Sequence, residues 1–227
     1  MKTIVVVGGS KGIGLAIVKE FVDYSNVISL SRTKSDFEHS NLTQIEVDVL
    51  TDELPLIESV DQLVYCLGSI NLKPFNRLKN SDFQLDFEVN VLGAVKSIQH
   101  FLPQLKQGTN SSVLLFSSVA AKMGMPFHAS ISIAKAGIEG LVKSLGAEFA
   151  PTIRINAIAP TVTDTTLATH LLRNETAVEN MIQRHPLKKF LNTKEVADMA
   201  AFLLSDKAAS ISGQIIEMDC GLVTFKL

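Results

Sequence analysis

An α/β fold, a parallel sheet with helices on both faces, is what this 227-residue sequence predicts. Three features carry the prediction. Short apolar, β-branched runs recur along the chain, and polar residues, glycine or proline follow them. Segments of helical periodicity stand between these runs. The first run, Ile4 to Val7, passes through Gly8-Gly9-Ser10-Lys11-Gly12-Ile13-Gly14 straight into Ala16, Ile17, Glu20 and Phe21 at helical spacing.

That opening unit reads as a buried strand, a glycine turn and a helix whose N-terminus faces the strand end. Glycines let a backbone approach a pyrophosphate closely, and a helix N-terminus offers unpaired N–H groups and partial positive charge. The spacing is Gly-x-x-x-Gly-x-Gly (Gly8, Gly12, Gly14), which only approximates the generic dinucleotide fingerprint. An ordinary strand–turn–helix is the other reading of the same residues.

The remaining elements follow in order. Asn26 to Leu30 is a second strand, ending at Ser31-Arg32. Thr43 to Val47 is a third, ending in Asp48-Val49, and the polar connection over 33–42 is short for a crossover helix. Gln62 to Cys66 is a fourth strand, meeting Leu67-Gly68. A long helix is expected from about Ser81 to Leu105, with Ser81 as N-cap and Asp82 in the first turn. Its buried side would carry Phe83, Phe87, Val91, Ala94, Val95 and Ile98. Val113 to Phe116 is a fifth strand, delivering Ser117 and Ser118. A helix from Ser130 to Phe149 follows, then a sixth strand, Ile153 to Ile158, closed by Ala159-Pro160. Residues 165–184 read as a helical flap, Lys194 to Leu204 as another helix, and Gln214 to Met218 as the last strand. Ligands of such sheets sit beyond the carboxyl ends of the strands. The glycine, serine and aspartate positions singled out here fall at those ends.

The length suits one domain spanning 1–227, with a substrate flap over about 165–190. The chain is 46% hydrophobic and 19% charged, with net charge −2, which gives no electrostatic footprint for nucleic acid. The first apolar run is too short for a signal peptide, and no stretch approaches the roughly 20 apolar residues that span a membrane. Cys66 and Cys220 lack metal-ligand spacing. A cytoplasmic protein with reduced thiols, no metal, no membrane and no nucleic-acid partner is expected.

Taken together, Gly8-x-x-x-Gly12-Ile13-Gly14, Asp48-Val49, Asn90 in FEVNVLG, Ser117-Ser118, Lys135 in IAKAGIEGL, Asn156 to Pro160, PLKKFLNTKEVA and GQIIEMD resemble the short-chain dehydrogenase/reductase family along nearly the whole chain. The resemblance implies a Rossmann-type, doubly wound parallel sheet of order 3-2-1-4-5-6-7. It also implies a small-molecule substrate and a homodimer or homotetramer built at the helix after Ser130, where Gly137 and Gly140 suit close packing. Cofactor contacts would come from Gly8, Ser10, Lys11, Gly12, Ile13 and Gly14 in the turn. Others would come from Ser31, Arg32, Asp48, Val49, Leu67, Gly68, Lys135, Pro160, Thr163 and Thr165. An acid at the end of the second strand would bind a ribose 2′-hydroxyl. Here Ser31-Arg32 and Lys11 offer a hydroxyl and two cations, which suit a 2′-phosphate, so NADP(H) is expected rather than NAD(H). Arg32 as a surface turn residue and Asp48 as an ordinary loop aspartate are the alternatives.

The catalytic set departs from the family. There a Ser, a Tyr and a Lys act together, the Tyr four residues before the Lys. Ser118 and Lys135 stand at matching positions, and Asn90 matches the residue that positions a relay water. The Tyr position is Ile131, which carries no proton. The stretch after the fourth strand is altered to Tyr65-Cys66-Leu67-Gly68, and Pro-Gly before the flap has become Pro160-Thr161. General acid catalysis is worth about 10²–10⁴ in rate, or about 3–5 kcal/mol. Holding hydride donor and acceptor together is worth about 7–11 kcal/mol, so another proton source could sustain turnover. His128, seven residues before Lys135, resembles the wider Tyr-to-Lys spacing of enoyl-acyl carrier protein reductases, and lies near the same helix face if the helix reaches back that far. A solvent-facing loop histidine is the alternative. Water through Asn90 is a second route. Ser132, about 100° round the helix, and Ser118 are weaker candidates. The leading reading is an NADP(H)-dependent oxidoreductase for a small carbonyl, hydroxyl or activated C=C compound. A non-catalytic NADP(H)-binding sensor or subunit, and a non-redox lyase or isomerase, remain as alternatives.

Overall fold

A computed structural model describes residues 1–225. Seven parallel strands form one sheet in the order β3-β2-β1-β4-β5-β6-β7. They are β1 Lys2–Val7, β2 Ser25–Ser31, β3 Leu42–Glu46, β4 Gln62–Tyr65, β5 Ser111–Phe116, β6 Ile153–Pro160 and β7 Ile215–Met218. The order reverses between β1 and β4, whose register runs from Ile4↔Gln62 to Val7↔Tyr65. Strand side chains alternate between faces, and β1 shows how that builds two cores. Val5 and Val7 join one apolar cluster, and Ile4 and Val6 join the other.

Helices α1 (Gly12–Phe21) and α6 (Thr193–Leu204) cover one face through Ile17, Val18 and Phe21 and through Val196, Ala200 and Leu203. Helices α2 (Asn80–Phe87), α3 (Gly93–Gln107) and α4 (Ala129–Glu148) lie on the other, where Ile98, Phe101 and Leu105 meet Ala134, Ile138 and Val142. α6 opens with a reciprocal cap: Asn192 Oδ1 accepts from Glu195 N–H at 2.9 Å, and Glu195 Oε2 from Asn192 N–H at 3.0 Å. The connections before and after β3 carry no helix, so alternation of strand and helix fails there.

The expected helix over 81–105 is interrupted. A π turn over Glu88–Leu92 joins α2 to α3, and one extra residue per turn rotates everything before it. Phe87 is therefore 40% exposed, while Asp86 is the buried residue of α2. Ser81 is not the cap. The helix begins at Asn80, and the Asp82 carboxylate accepts from Lys79 N–H at 2.9 Å. The flap is helical only in part: a short turn over Thr166–Ala168 precedes α5 (Glu175–Arg184), which buries no residue of its own. Polar residues 173–176 break the pattern between them, and Asn174 caps α5 by accepting from Ala177 N–H at 2.8 Å.

Candidate functional site

The glycine turn is a backbone device. Gly8 and Gly12 adopt φ of +85° and +55°, where other residues are strained. A Cβ on Gly14 would lie 2.1 Å from the Gly8 carbonyl oxygen, so only glycine lets α1 start this close to β1. No side chain caps α1, which leaves its first N–H groups for a ligand.

That N-terminus opens into a cleft of about 380 Å³ beyond the ends of β1, β2 and β4. Gly8, Ser10, Lys11, Gly12, Ile13 and Gly14 line it on one side, Ser31 and Arg32 at the end of β2, and Asp48 and Val49 after β3. Leu67, Gly68 and Thr165 complete the wall. The Ser31 hydroxyl is buried with no hydrogen-bond partner, an orphaned polar atom facing a ligand site. Lys11 and Arg32 are exposed, and neither has an acidic partner at ion-pair distance among the described residues. Asp48 is half-buried, with one carboxylate oxygen accepting from Leu50 N–H at 3.0 Å. An uncapped helix start, a glycine cradle, an orphaned hydroxyl and two unpaired cations fit an extended nucleotide carrying phosphates.

A second cavity of about 180 Å³ adjoins the first, sharing Ile13, Thr165 and Leu167 with it. Ser118, His128, Ile131, Lys135, Pro160 and Thr163 all line it. Three of the residues expected at the cofactor thus line this cavity and not the cleft: Lys135, Pro160 and Thr163. The Lys135 ammonium is buried at the carboxyl end of β5, donating to Phe116 O at 2.9 Å. Burial pulls its pKa down to about 8, while Cys66 and Asp86 oppose the shift. Ser118 Oγ accepts from Ala120 N–H at 3.2 Å, which leaves its own proton free for the cavity. Ser117 points away, donating to Glu139 Oε1 at 2.8 Å.

Ile131 is 5% exposed, one turn before Lys135 on α4. His128 caps the start of α4, so the helix does reach back to it, and Ser132 N–H bonds its carbonyl at 2.8 Å. His128 is half-buried at the cavity, with Nδ1 donating to Pro126 O at 2.7 Å. Its neutral form therefore presents an acceptor at Nε2. Ser132 faces a separate groove beside Met123 and Phe127 rather than this cavity. Gly137 packs closely, since a Cβ there would meet Val91 at 3.3 Å, but Gly140 has nothing within 4 Å.

Asn90 lines neither cavity directly. It sits in the π turn, fully buried, and gives both amide protons inward: to Ser69 Oγ at 2.9 Å and to Asp86 O at 2.8 Å. Its Oδ1 is buried without a partner. A Cβ on Gly68 would lie 3.4 Å from that oxygen and 3.7 Å from Lys135 Nζ, so bare Gly68 leaves a gap beside the amide and the ammonium. The altered stretch after β4 holds this arrangement in place. The Tyr65 hydroxyl donates to Val89 O at 2.6 Å, pinning the π turn, and Gly93 makes room for its ring. Burial pushes the Cys66 thiol up, so Cys66 packs as a small neutral residue.

Sequence reasoning missed two groups. Ser69 lines the second cavity and donates to the buried carboxylate of Asp86 at 2.5 Å. The fully buried His185 meets the cavity residue Thr161, Nε2 to Oγ1 at 2.8 Å, while its Nδ1 donates to Met181 O at 2.7 Å. The signal for the second was the exchange of glycine for Thr161. For the first it was Asp86, four residues before Asn90, but only the π turn turns it inward.

With this geometry in hand, comparison with known proteins is direct. A family model described as Enoyl-(Acyl carrier protein) reductase matches residues 44–223. The 3-oxoacyl-[acyl-carrier-protein] reductase of Thermotoga maritima is 32% identical over 185 residues, 77% of this chain and 74% of that protein. Carbonyl reductase [NADPH] 2 of Sus scrofa is 30% identical over 230 residues, 95% of this chain and 94% of that one. A solved structure of ElxO with NADP bound superposes with a TM-score of 0.89 at 26% identity, covering 99% of each chain. Matched over most of its length in sequence and end to end in fold, the chain belongs to the short-chain dehydrogenase/reductase family of NAD(P)-dependent oxidoreductases.

Proposed function

We propose that this protein is an NADP(H)-dependent oxidoreductase acting on a small carbonyl, hydroxyl or activated C=C compound. The observation that carries this is the junction of the two cavities: the Lys135 ammonium and the Ser118 hydroxyl share one cavity that opens into the glycine-turn cleft. Bound cofactor supplies or removes the hydride. The turn and the uncapped start of α1 hold its pyrophosphate, Ser31, Arg32 and Lys11 take the 2′-phosphate, and Asp48 accepts from the adenine amino group. Lys135 holds ribose hydroxyls and Ser118 orients the substrate oxygen. Apolar Ile70, Leu72, Met125, Val162 and Leu171 exclude water around it. Ile131 offers no proton, so another group must give it. The pinned tautomer of His128 makes it a donor only as an imidazolium, which favours the route at Asn90.

The test is calorimetric titration with NADPH and NADH. It is followed by loss of NADPH absorbance with butane-2,3-dione, acetoacetyl-CoA and crotonyl-CoA. Micromolar NADPH binding with turnover supports the reading, and binding of neither cofactor overturns it. Arg32→Asp is expected to weaken NADPH binding about 10- to 100-fold, the worth of one charge-assisted hydrogen bond, and to leave NADH binding unchanged or tighter. Ile131 also favours a second reading, a cofactor-binding protein without turnover. Oxidation of NADPH by any of the three probes eliminates it.

The working form is proposed to be a cytoplasmic homodimer or homotetramer. Leu85, Phe87, Leu92 and Ile133 lie exposed on α2, the π turn and α4, beside the open Gly140. Light scattering is expected to give two or four times the chain mass, and Phe87→Glu to reduce it.

A further inference from the structure

We infer that Ser69 and Asp86 are the proton-transfer pair of this site, Ser69 as the catalytic residue and Asp86 as the group that holds its proton. The inference rests on the oxidoreductase reading above and identifies where the Asn90 route ends.

Most other hydroxyls and imidazoles at the cavity are already committed, and those with a free proton, Ser118 and Thr165, only accept from a backbone N–H. His128 and His185 both spend Nδ1–H on a backbone carbonyl, so each neutral ring turns an acceptor, not a donor, the other way. The Thr161 proton goes to His185 Nε2, leaving only lone pairs for the cavity. Ser118 has a free proton but no base or acid behind it, since its one contact is an accepted N–H. Ser117 is also backed by a carboxylate, Glu139, but is itself buried, whereas Ser69 is half-buried at the cavity and backed by Asp86. Ser69 Oγ lies 2.5 Å from Asp86 Oδ1 and accepts from Asn90 Nδ2 at 2.9 Å, which fixes the hydroxyl between amide and carboxylate. Asp86 is 1% exposed, and its Oδ2 is buried with no hydrogen-bond partner. No other carboxylate among the described residues has such an oxygen. An unpartnered buried oxygen is costly in a structural role.

In the oxidative direction, hydride leaves the alcohol carbon for the bound cofactor, the substrate O–H bond breaks as Ser69 Oγ takes its proton, and the proton Ser69 already donates to Asp86 Oδ1 passes onto that oxygen. Asp86 then returns a proton through Ser69 to water once product has left. Reduction of a carbonyl runs the same transfers in reverse: a proton taken up from water through Ser69 sits on Asp86 Oδ1, and as hydride reaches the carbonyl carbon Ser69 gives its proton to the new alkoxide oxygen and recovers one from Oδ1.

Ser69→Ala removes the donor, and Asp86→Asn keeps the shape and the hydrogen bond from Ser69 but carries no transferable proton. Each is expected to lower kcat at least about 100-fold for the probe that the wild type reduces. KM and the Kd for NADPH should stay close to wild-type values, while the thermal midpoint of Ser69→Ala falls because Asp86 Oδ1 and Asn90 Nδ2 lose their partner. A merely structural role would move the midpoint with KM and Kd and leave kcat near the wild-type value. Ser69→Thr, which keeps the hydroxyl, is expected to retain most of the activity. If the wild type turns over and Ser69→Ala stays within threefold of it, the pair is overturned and the oxidoreductase reading stands. If the wild type oxidises NADPH with none of the three probes, both fall together.

Discussion

Lys135→Met is expected to weaken NADPH binding about 10- to 100-fold while raising the thermal midpoint of the cofactor-free protein. The first effect is the loss of a charged hydrogen-bond donor, worth about 1.5–3 kcal/mol. The second follows from burial. The ammonium is 8% exposed, with one hydrogen bond to a carbonyl, and desolvation has lowered its pKa from 10.5 to about 8. Between those two values the unfolded chain holds the proton and the folded chain gives it up. Stability therefore rises with pH across that window, and the full cost of burying the charge is present below about 8. Methionine fills similar space with no charge to bury. The checks are thermal melts across pH and titration calorimetry with NADPH. The wild type should gain stability between about pH 8 and 10.5, and Lys135→Met should lose that slope. NADPH affinity of the wild type should fall as pH rises through about 8, because the neutral amine binds hydroxyls less well. A midpoint lowered by the substitution would mean that the ammonium is paired in the folded protein and stabilises it.

The sheet was legible because its inner strands β1, β4, β5 and β6 are buried on both faces. A run such as Ile4 to Val7 has no polar face to confuse with a loop, and all seven strands lie within two residues of their expected bounds. The helix-to-strand rhythm was less legible around β3, where a polar connection before it and an irregular one after it, carrying buried Val47, Val49, Leu54 and Val60, replace two crossover helices. The nucleotide cleft was almost fully readable, since it is made of backbone and strand ends. Thirteen of the expected residues, from Gly8 to Thr165, meet there because the strand order brings β1, β2 and β4 together. The second cavity was readable only where family positions could be carried over, at Ser118 and Lys135. Ser69 and Asp86 escaped because their meeting depends on the π turn. A regular helix through Asn90 would put Phe87, not Asp86, toward the core, and no periodicity in the sequence announces one extra residue in a turn. The flap was overread for the opposite reason. Its leucines carry helical spacing, but Leu171 lines the cavity from a non-helical turn, and α5 itself buries nothing.

Ile131→Tyr is expected to raise carbonyl reduction, about tenfold in the wild type and at least about 100-fold in the Ser69→Ala background. Position 131 lies one turn before Lys135 on α4, so its side chain points into the same cavity as the ammonium and the Ser118 hydroxyl. A phenol placed there has a cation nearby to hold its pKa down and a serine opposite to share the substrate oxygen. The cavity of about 180 Å³ gives the ring room on one side only. Overpacking against the buried wall costs about 1–3 kcal/mol, so the thermal midpoint should drop by a few degrees. Because Ser69 already delivers a proton in the wild type, the tyrosine adds a parallel route and the gain is small. Once Ser69 is gone, the tyrosine is the main acid and the gain approaches the full worth of general acid catalysis. The comparison of the two backgrounds is therefore decisive. Equal gains in both would mean that Ser69 moves no proton. No gain in either, with NADPH bound normally, would mean that the cavity no longer brings a substrate carbonyl to the face of α4 at all, and that the chemistry has moved toward a conjugated C=C, where the proton lands on carbon.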